Sequence, residues 1–295
     1  MARERKKKMA GNYYREDFFE KSGMPLFIID AEAHQSTLPH GHDFTELVIV
    51  REGRGVHLEG NEQYPIVAGD AFVIHEREQH GYADVSGLAI TNILFDPVPL
   101  GFPAHDMRGM AGYQALFALE PSLRQRHGLR SPLRMAPRDL LTAVVLKDHI
   151  RKELTDKAEG FRAMAAALFS QLVLFLSRNY GKGKETDAVS LLRLGSALCL
   201  LEDRYAERVR LCDLAHAAGM SQSSFQRAFR RALDCSPIDY LIRYRVRKAA
   251  ELLRDPALRI TEIGFKSGFE DSNYFSRQFK AVMGMSPRRY RAQGG

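Results

Sequence analysis

The sequence predicts a multidomain α+β chain: a small N-terminal β-barrel, a helical connector, and a C-terminal all-α domain with two helix–turn–helix units. Three observations predict it. Short β-rich runs punctuated by turn residues fill 26–95. Apolar residues at three- and four-residue spacing follow within 110–180. Near the C-terminus one motif occurs twice, about fifty residues apart.

The chain has 295 residues, enough for two ordinary domains and a connector, and its 45% hydrophobic and 27% charged content is that of a folded, water-soluble protein. The first ten residues are charged and no apolar segment follows them, so no secretory signal is expected. The most apolar window, 163–176, is short for a membrane span and is interrupted by Ser170 and Gln171. Cys199, Cys212 and Cys235 are widely separated, which predicts reduced, mostly buried thiols in the cytoplasm.

The net charge of +7 is unevenly placed: +3 over 1–25, −2 over 26–184 and +6 over 185–295. A basic end beside a near-neutral body suits binding to a phosphate backbone.

In chain order, 1–25 reads as a flexible basic arm. Strands are expected over 26–30, 47–51, 55–58, 71–75 and 89–95, with turns at Gly53, Asn61, Gly69–Asp70 and Gly87. That spacing gives a small barrel over 26–105. The helical segment 106–184 carries Phe161, Ala165, Leu168, Leu172, Phe175 and Leu176 on one stripe, a candidate dimer seam, and 181–184 reads as a short linker.

In 185–295 the first repeat is Leu211, Leu214, Ala215, Gly219, Phe225, Arg227, Phe229, Arg230, Ser236, Pro237 and Tyr240. The second is Ile260, Ile263, Gly264, Gly268, Phe275, Arg277, Phe279, Lys280, Ser286, Pro287 and Tyr290. A supporting helix over 211–218 ends at Gly219, Ser221 caps a second helix over 222–233, and Ser236–Pro237 opens a longer one reaching Asp255. In the second copy Gly268 breaks the chain, and Asp271 caps a helix over 272–283. The four phenylalanines at i, i+4 face inward, leaving polar residues for DNA. Ala215 and Gly264 are small enough for close helix crossing.

This repeat, with Phe265, Phe269, Tyr274 and Gly284 in addition, closely resembles the DNA-binding domain of AraC/XylS-type transcription regulators over about 187–292. The resemblance implies base contacts from Ser223, Gln226 and Arg227 in the first unit and from Ser272, Asn273 and Arg277 in the second. Arginine suits guanine and Gln or Asn suits adenine. Arg230 and Lys280 suit phosphates. A salt bridge within the domain is the alternative for Arg227 and Arg277.

The densest chemical cluster is His40, His42 and Glu46, followed by Gly53, Gly69–Asp70 and His80. Even positions of an extended strand share a face, so these side chains could point into one barrel interior, joined by Tyr82. They resemble the metal-binding pattern of cupins, departing from it at His75, where a proline is common. Three histidines and a carboxylate could bind Fe, Mn, Ni or Zn. They could equally hydrogen-bond the hydroxyls of a sugar, or form a satisfied polar core.

The order of sensor, helical segment and paired helix–turn–helix units also fits the family. His42, Phe44, Glu46, Gly53, His57, Tyr64, Ile66, Gly69, Asp70 and Asn92 look most like its L-rhamnose regulators. The resemblance implies a cytoplasmic, homodimeric, non-enzymatic regulator of a carbohydrate-utilisation operon, an activator that binds double-stranded DNA, a sugar-like effector and RNA polymerase, without membrane attachment. The competing expectation is a metal-dependent cupin enzyme, or a metal sensor, fused to a DNA-binding domain.

Overall fold

The computed structural model describes residues 12–102, 105–127, 132–182 and 186–293. The chain divides into two compact units, Met1–Leu192 and Arg193–Gly295.

The first unit opens with β1 (Asn12–Tyr13) and α1 (Glu16–Ser22), followed by β2 (Leu26–Ala31), β3 (Thr37–His42), β4 (Thr45–Glu59), β5 (Glu62–Val67), β6 (Asp70–Ile74) and β7 (His80–Phe95). The short helices α2 (Pro97–Leu100), α3 (His105–Arg108) and α4 (Ala111–Gln114) come next. From α4 the chain passes through a π-turn, Ala115–Leu119, into α5 (Glu120–His127). Then come β8 (Leu133–Arg134), α6 (Pro137–Asp156) and α7 (Phe161–Asn179). The strands form one eight-stranded sheet in the order β1-β3-β7-β4-β6-β8, with β2 added to β7 and β5 to β4.

Residues 12–25, expected within a flexible arm, are built into this sheet. β1 runs parallel to β3, and Phe18 packs between Phe27 and Phe44. Arg15 pairs with Asp43 and Asp96, which ties the segment to the sheet. The remainder of the arm, 1–11, lies outside the described residues.

Two expected strands, 47–51 and 55–58, are a single strand, β4. Gly53 and Gly87, read as turns, instead mark bends within β4 and β7, where the pairing register shifts. Gly53 has φ +69°, and a Cβ there would run into the backbone of Ser86 and Gly87. The two strands can therefore cross closely without breaking. β5 carries Pro65 and pairs with β4 alone, an edge position that tolerates the missing donor.

The inner face of the sheet buries Val48, Val50, Ile66, Phe72, Ile74, Tyr82, Leu88 and Ile90. α7 is long and apolar enough by composition to cross a membrane, more so than its apolar window alone. In the structure its stripe of Ala165, Phe169, Leu172, Val173 and Leu176 is buried, with Phe169 against Phe95 and Phe102. Phe161, Leu168 and Phe175 of the expected stripe are only half-buried, because the sheet-facing side is centred on Phe169.

The division between units falls inside α8 (Thr186–Asp203) rather than at 184/185. The first turns of α8 stay with the first unit because Leu192 packs onto Gly181, where φ is +78° and a Cβ would strike the leucine.

The second unit continues with α9 (Leu211–Ala217), α10 (Gln222–Leu233), α11 (Pro237–Leu252), α12 (Ile260–Lys266), α13 (Ser272–Met283) and α14 (Pro287–Ala292). α11 stops at Leu252, short of the expected Asp255, so it is about 24 Å long at 1.5 Å per residue. Its start is held by a reciprocal cap between Ser236 and Asp239. Phe225, Phe229, Phe275 and Phe279 are fully buried, each contributing about 1.5–3 kcal/mol of apolar transfer. A Cβ on Gly264 would press on the Phe275 ring, so α12 and α13 need a glycine at their crossing. None of the three cysteines is in a disulfide, and only Cys235 is buried. Cys199 is half-buried and Cys212 is exposed in the first turn of α9, so the thiols are less buried than expected.

Candidate functional site

Two groups of polar side chains stand out, one sealed inside the sheet and one displayed on helices.

The inner group is set by the bend between β3 and β4. His42 closes β3, Glu46 is the second residue of β4, and His80 begins β7 opposite His40. Glu46 Oε2 lies 3.4 Å from His42 Nε2 and 3.5 Å from His80 Nε2. One potential ligand atom from each of these three residues lies within 4.8 Å of the others, and all three are buried. The His42 Nδ1–H donates to the Phe44 carbonyl at 2.7 Å. A carbonyl only accepts, so the Nδ1 tautomer is fixed and the Nε2 lone pair faces Glu46. His42 Nε2, Glu46 Oε1 and both ring nitrogens of His80 have no hydrogen-bond partner among the described residues.

Burial controls the protonation of this group. It pushes the Glu46 carboxyl up to about 8 and His42 down to about 4, the latter partly offset by the Phe44 hydrogen bond. His80 is driven well below its ordinary value by burial and the neighbouring histidines, and His40 falls by burial. At neutral pH this group is therefore polar and nearly uncharged: neutral imidazoles around a protonated carboxyl. Such a set can both donate to and accept from hydroxyl groups. On losing the Glu46 proton, its three facing donors suit a borderline divalent metal.

His40, expected as a fourth member of the cluster, is outside it. β3 ends before β4 begins, so His40, His42 and Glu46 do not share one extended strand. The His40 Nδ1 turns to the Leu38 carbonyl, and its half-buried ring lies between Tyr13 and His80. Tyr82 is buried on β7, against His34 and His57.

Three charged or polar residues of the interior were not singled out as site residues by the sequence. His57 is opposite Tyr82, with its ring 5.6 Å from that of His80. Two residues on, Glu59 faces the same interior, 4.0 Å from His57 Nδ1. Arg124 of α5 is fully buried and donates to Glu59. The parity of 57 and 59 was a usable signal; nothing local marked Arg124, which sits in a strongly polar stretch that reads as a solvated face.

The outer group lies on α10 and α13. Ser221 caps α10 by accepting from the Ser224 amide, and Asp271 caps α13 by accepting from that of Tyr274 at 2.6 Å. With the phenylalanines inside, Ser223, Gln226, Arg227 and Arg230 are exposed on α10. With Ser236 and Pro237 they line one shallow groove of about 540 Å³. On α13, Asn273, Arg277 and Lys280 are exposed and Ser272 is half-buried. Neither Arg227 nor Arg277 forms an ion pair among the described residues, whereas Arg210 of the same unit is tied to Asp213.

Residues 25–173 match the family of AraC-like ligand binding domains, and 214–293 match a helix-turn-helix domain family. The HTH-type transcriptional activator RhaR of Escherichia coli (strain K12) is 30% identical over 278 residues, covering 94% of this chain and 95% of that protein. RhaR of Shigella boydii serotype 4 (strain Sb227) matches to the same extent. Among solved structures, an AraC-type transcriptional regulator from Chromobacterium violaceum is 29% identical, covering 35% of this chain and 92% of its own, with a TM-score of 0.34.

Proposed function

Because this chain belongs to the AraC family of transcription regulators, and is a DNA-binding regulator of that type, we propose that it activates a carbohydrate-utilisation operon in response to a neutral sugar bound inside the sheet. L-Rhamnose is the first candidate effector, and the protein acts in the cytoplasm as a binder rather than an enzyme. The observation that carries the effector reading is the uncharged interior of His42, Glu46 and His80, with Tyr82 and His40 beside it. A neutral polyol exchanges its water hydrogen bonds for these donors and acceptors, whereas an anion would find no free cation there.

In this reading the effector's unequal affinity for two arrangements of the first unit shifts their populations, and with them DNA occupancy. Arg227, Gln226 and Ser223 of α10, and Arg277, Asn273 and Ser272 of α13, read base edges, while Arg230 and Lys280 contact phosphates. The segment 106–184 joins two copies into a homodimer. Leu141 and Val145 of α6 and Met164 of α7 remain exposed and apolar, which supports a seam there. Contact with RNA polymerase rests on the family resemblance.

A second reading has a divalent metal held by His42 Nε2, Glu46 Oε2 and His80 Nε2, in a metal sensor or a cupin-type enzyme. The three facing donors and the fixed His42 tautomer favour it. A bound metal would act there as a Lewis acid towards a ligand oxygen.

The deciding experiment is thermal denaturation of the full chain against a sugar panel including L-rhamnose, with and without chelator. A saturable rise in Tm with one sugar, indifferent to chelator, is the expected result. A fall on chelation with no response to any sugar would replace the sugar reading by the metal one.

A further inference from the structure

The buried polar interior and the end of the helical segment are joined by an unusual set of contacts centred on Arg124. Its guanidinium is fully buried over the Phe72 ring and divides its donors three ways: Nε to Glu59 and Nη1 to Glu120, both at 2.5 Å, and Nη2 to the Val73 carbonyl. The Tyr64 hydroxyl donates to the Arg124 carbonyl at 2.8 Å, so α5 is also held from β5. Glu59 in turn faces His57, whose ring approaches His80. One side chain thus connects the interior to α5.

The helix carrying Arg124 is not uniform. The π-turn Ala115–Leu119 lies between α4 and α5, an insertion of one residue into the helical ladder that stacks the Tyr113 and Phe117 rings 4.8 Å apart. A π-turn is a local defect that can migrate or be absorbed, rotating everything beyond it by one residue. Just before the turn, Gly112 of α4 lies so close to the last turn of α7 that a Cβ would strike the Ser177 carbonyl. Phe117 also packs on Phe102, which touches Phe169 of α7. The chain leaving α7 holds Gly181 against Leu192 of α8, the helix that continues into the second unit.

We propose that Arg124 is a positioning residue that couples the polar interior to the end of α7: its bonds to Glu59 and Glu120 hold the π-turn in place, and the π-turn holds Gly112 against Ser177. A ligand that draws on His57 or His80 perturbs Glu59 and is felt through Arg124 at residues 176–181, where the chain leaves for α8. The route uses buried, directly touching groups, and the π-turn supplies the element with two discrete arrangements that such coupling requires. The sugar arm of the test below rests on the proposed function; the first arm does not.

The test is amide hydrogen exchange on the full chain, comparing wild type with Glu59→Gln and Arg124→Lys, both of which preserve side-chain volume. The expected result is exchange faster by about tenfold or more at 115–119 and at 176–180, with the β2–β7 pairing unchanged. Faster exchange confined to residues beside the substitution overturns the proposal, and so does a uniform rise through the unit, the mark of a merely structural role. In the second arm L-rhamnose is added, and its binding is followed by calorimetry. Wild type should gain protection at 176–180, whereas Arg124→Lys, on α5 outside the His42, Glu46 and His80 group, should still bind the sugar without that gain; retained protection in that variant overturns the coupling. If L-rhamnose does not bind wild type, that effector assignment fails while the first arm still decides the role of Arg124.

Discussion

The sealed interior of the sheet and the displayed faces of α10 and α13 use similar polar chemistry under opposite physical conditions. Inside, His42, Glu46, His80, Glu59 and Arg124 are almost wholly removed from water, so partner geometry and protonation determine their cost. On the helices, Gln226, Arg227, Arg230, Arg277 and Lys280 stay hydrated and keep their charges available for a partner. The difference teaches that the two regions should fail differently: the interior through stability and pH, the helices through affinity and salt.

The largest expected effect breaks the interior. Arg124→Ala leaves Glu59 and Glu120 buried without their cation and should cost about 3–5 kcal/mol of first-unit stability by denaturant titration. A loss below ~1 kcal/mol would mean that water or a rearranged partner replaces the guanidinium.

The next effect is in pH. Burial pushes the Glu46 carboxyl from 4.5 up to about 8, so between those values the folded state holds the extra proton and stability falls as pH rises from 4.5 through 8. Glu78, raised to about 7 by burial, acts in the same direction. His42, lowered to about 4, works oppositely: its contribution is complete above 6.5 and is lost as pH falls towards 4. Above pH 6.5 the histidine contribution is complete and only the two carboxyls act, so stability should decline from 6.5 towards 8, by roughly 2 kcal/mol from Glu46 alone at about 1.4 kcal/mol per pH unit. Glu46→Gln should flatten that decline in a chelator-treated sample. An unchanged pH profile would show that Glu46 is ionised in the folded protein.

Arg227→Ala sharpens the comparison from the other side. It should leave folding stability within about 0.5 kcal/mol of wild type and cost about 1–3 kcal/mol in DNA affinity, with relaxed preference at one base position. Unchanged affinity across a randomised operator library would remove Arg227 from the base-reading set. The smallest effect is that of Arg230→Ala, which should weaken all sequences alike and reduce the slope of log K against log salt by about 1. A change in base preference instead would move Arg230 into the reading set.

How much was legible beforehand followed the same division. The helix–turn–helix helices were read to the residue at α10 and α13 because caps and buried phenylalanines are local signals at fixed spacing. α11 was read three residues too long, since Pro256 marks where a helix must have ended rather than where it does. In the sheet, Gly53 and Gly87 looked like turns, and only the pairing of two distant strands shows them to be bends. The link from Glu59 to Arg124 spans 65 residues of chain and carries no periodic signature, so no window of sequence could join them.

The contact between β4 and β7 at their bends is asymmetric. A side chain at Gly53 would meet both an unfavourable φ and the opposing backbone, whereas a Cβ at Gly87 points into open space and meets only the φ of +58°. Asparagine tolerates that left-handed conformation. As the lineage diverges, Gly87 has an escape route and Gly53 has none. The crossing is thus pinned at one point, and the rest of β7 can vary around it while His80 at its start keeps its register.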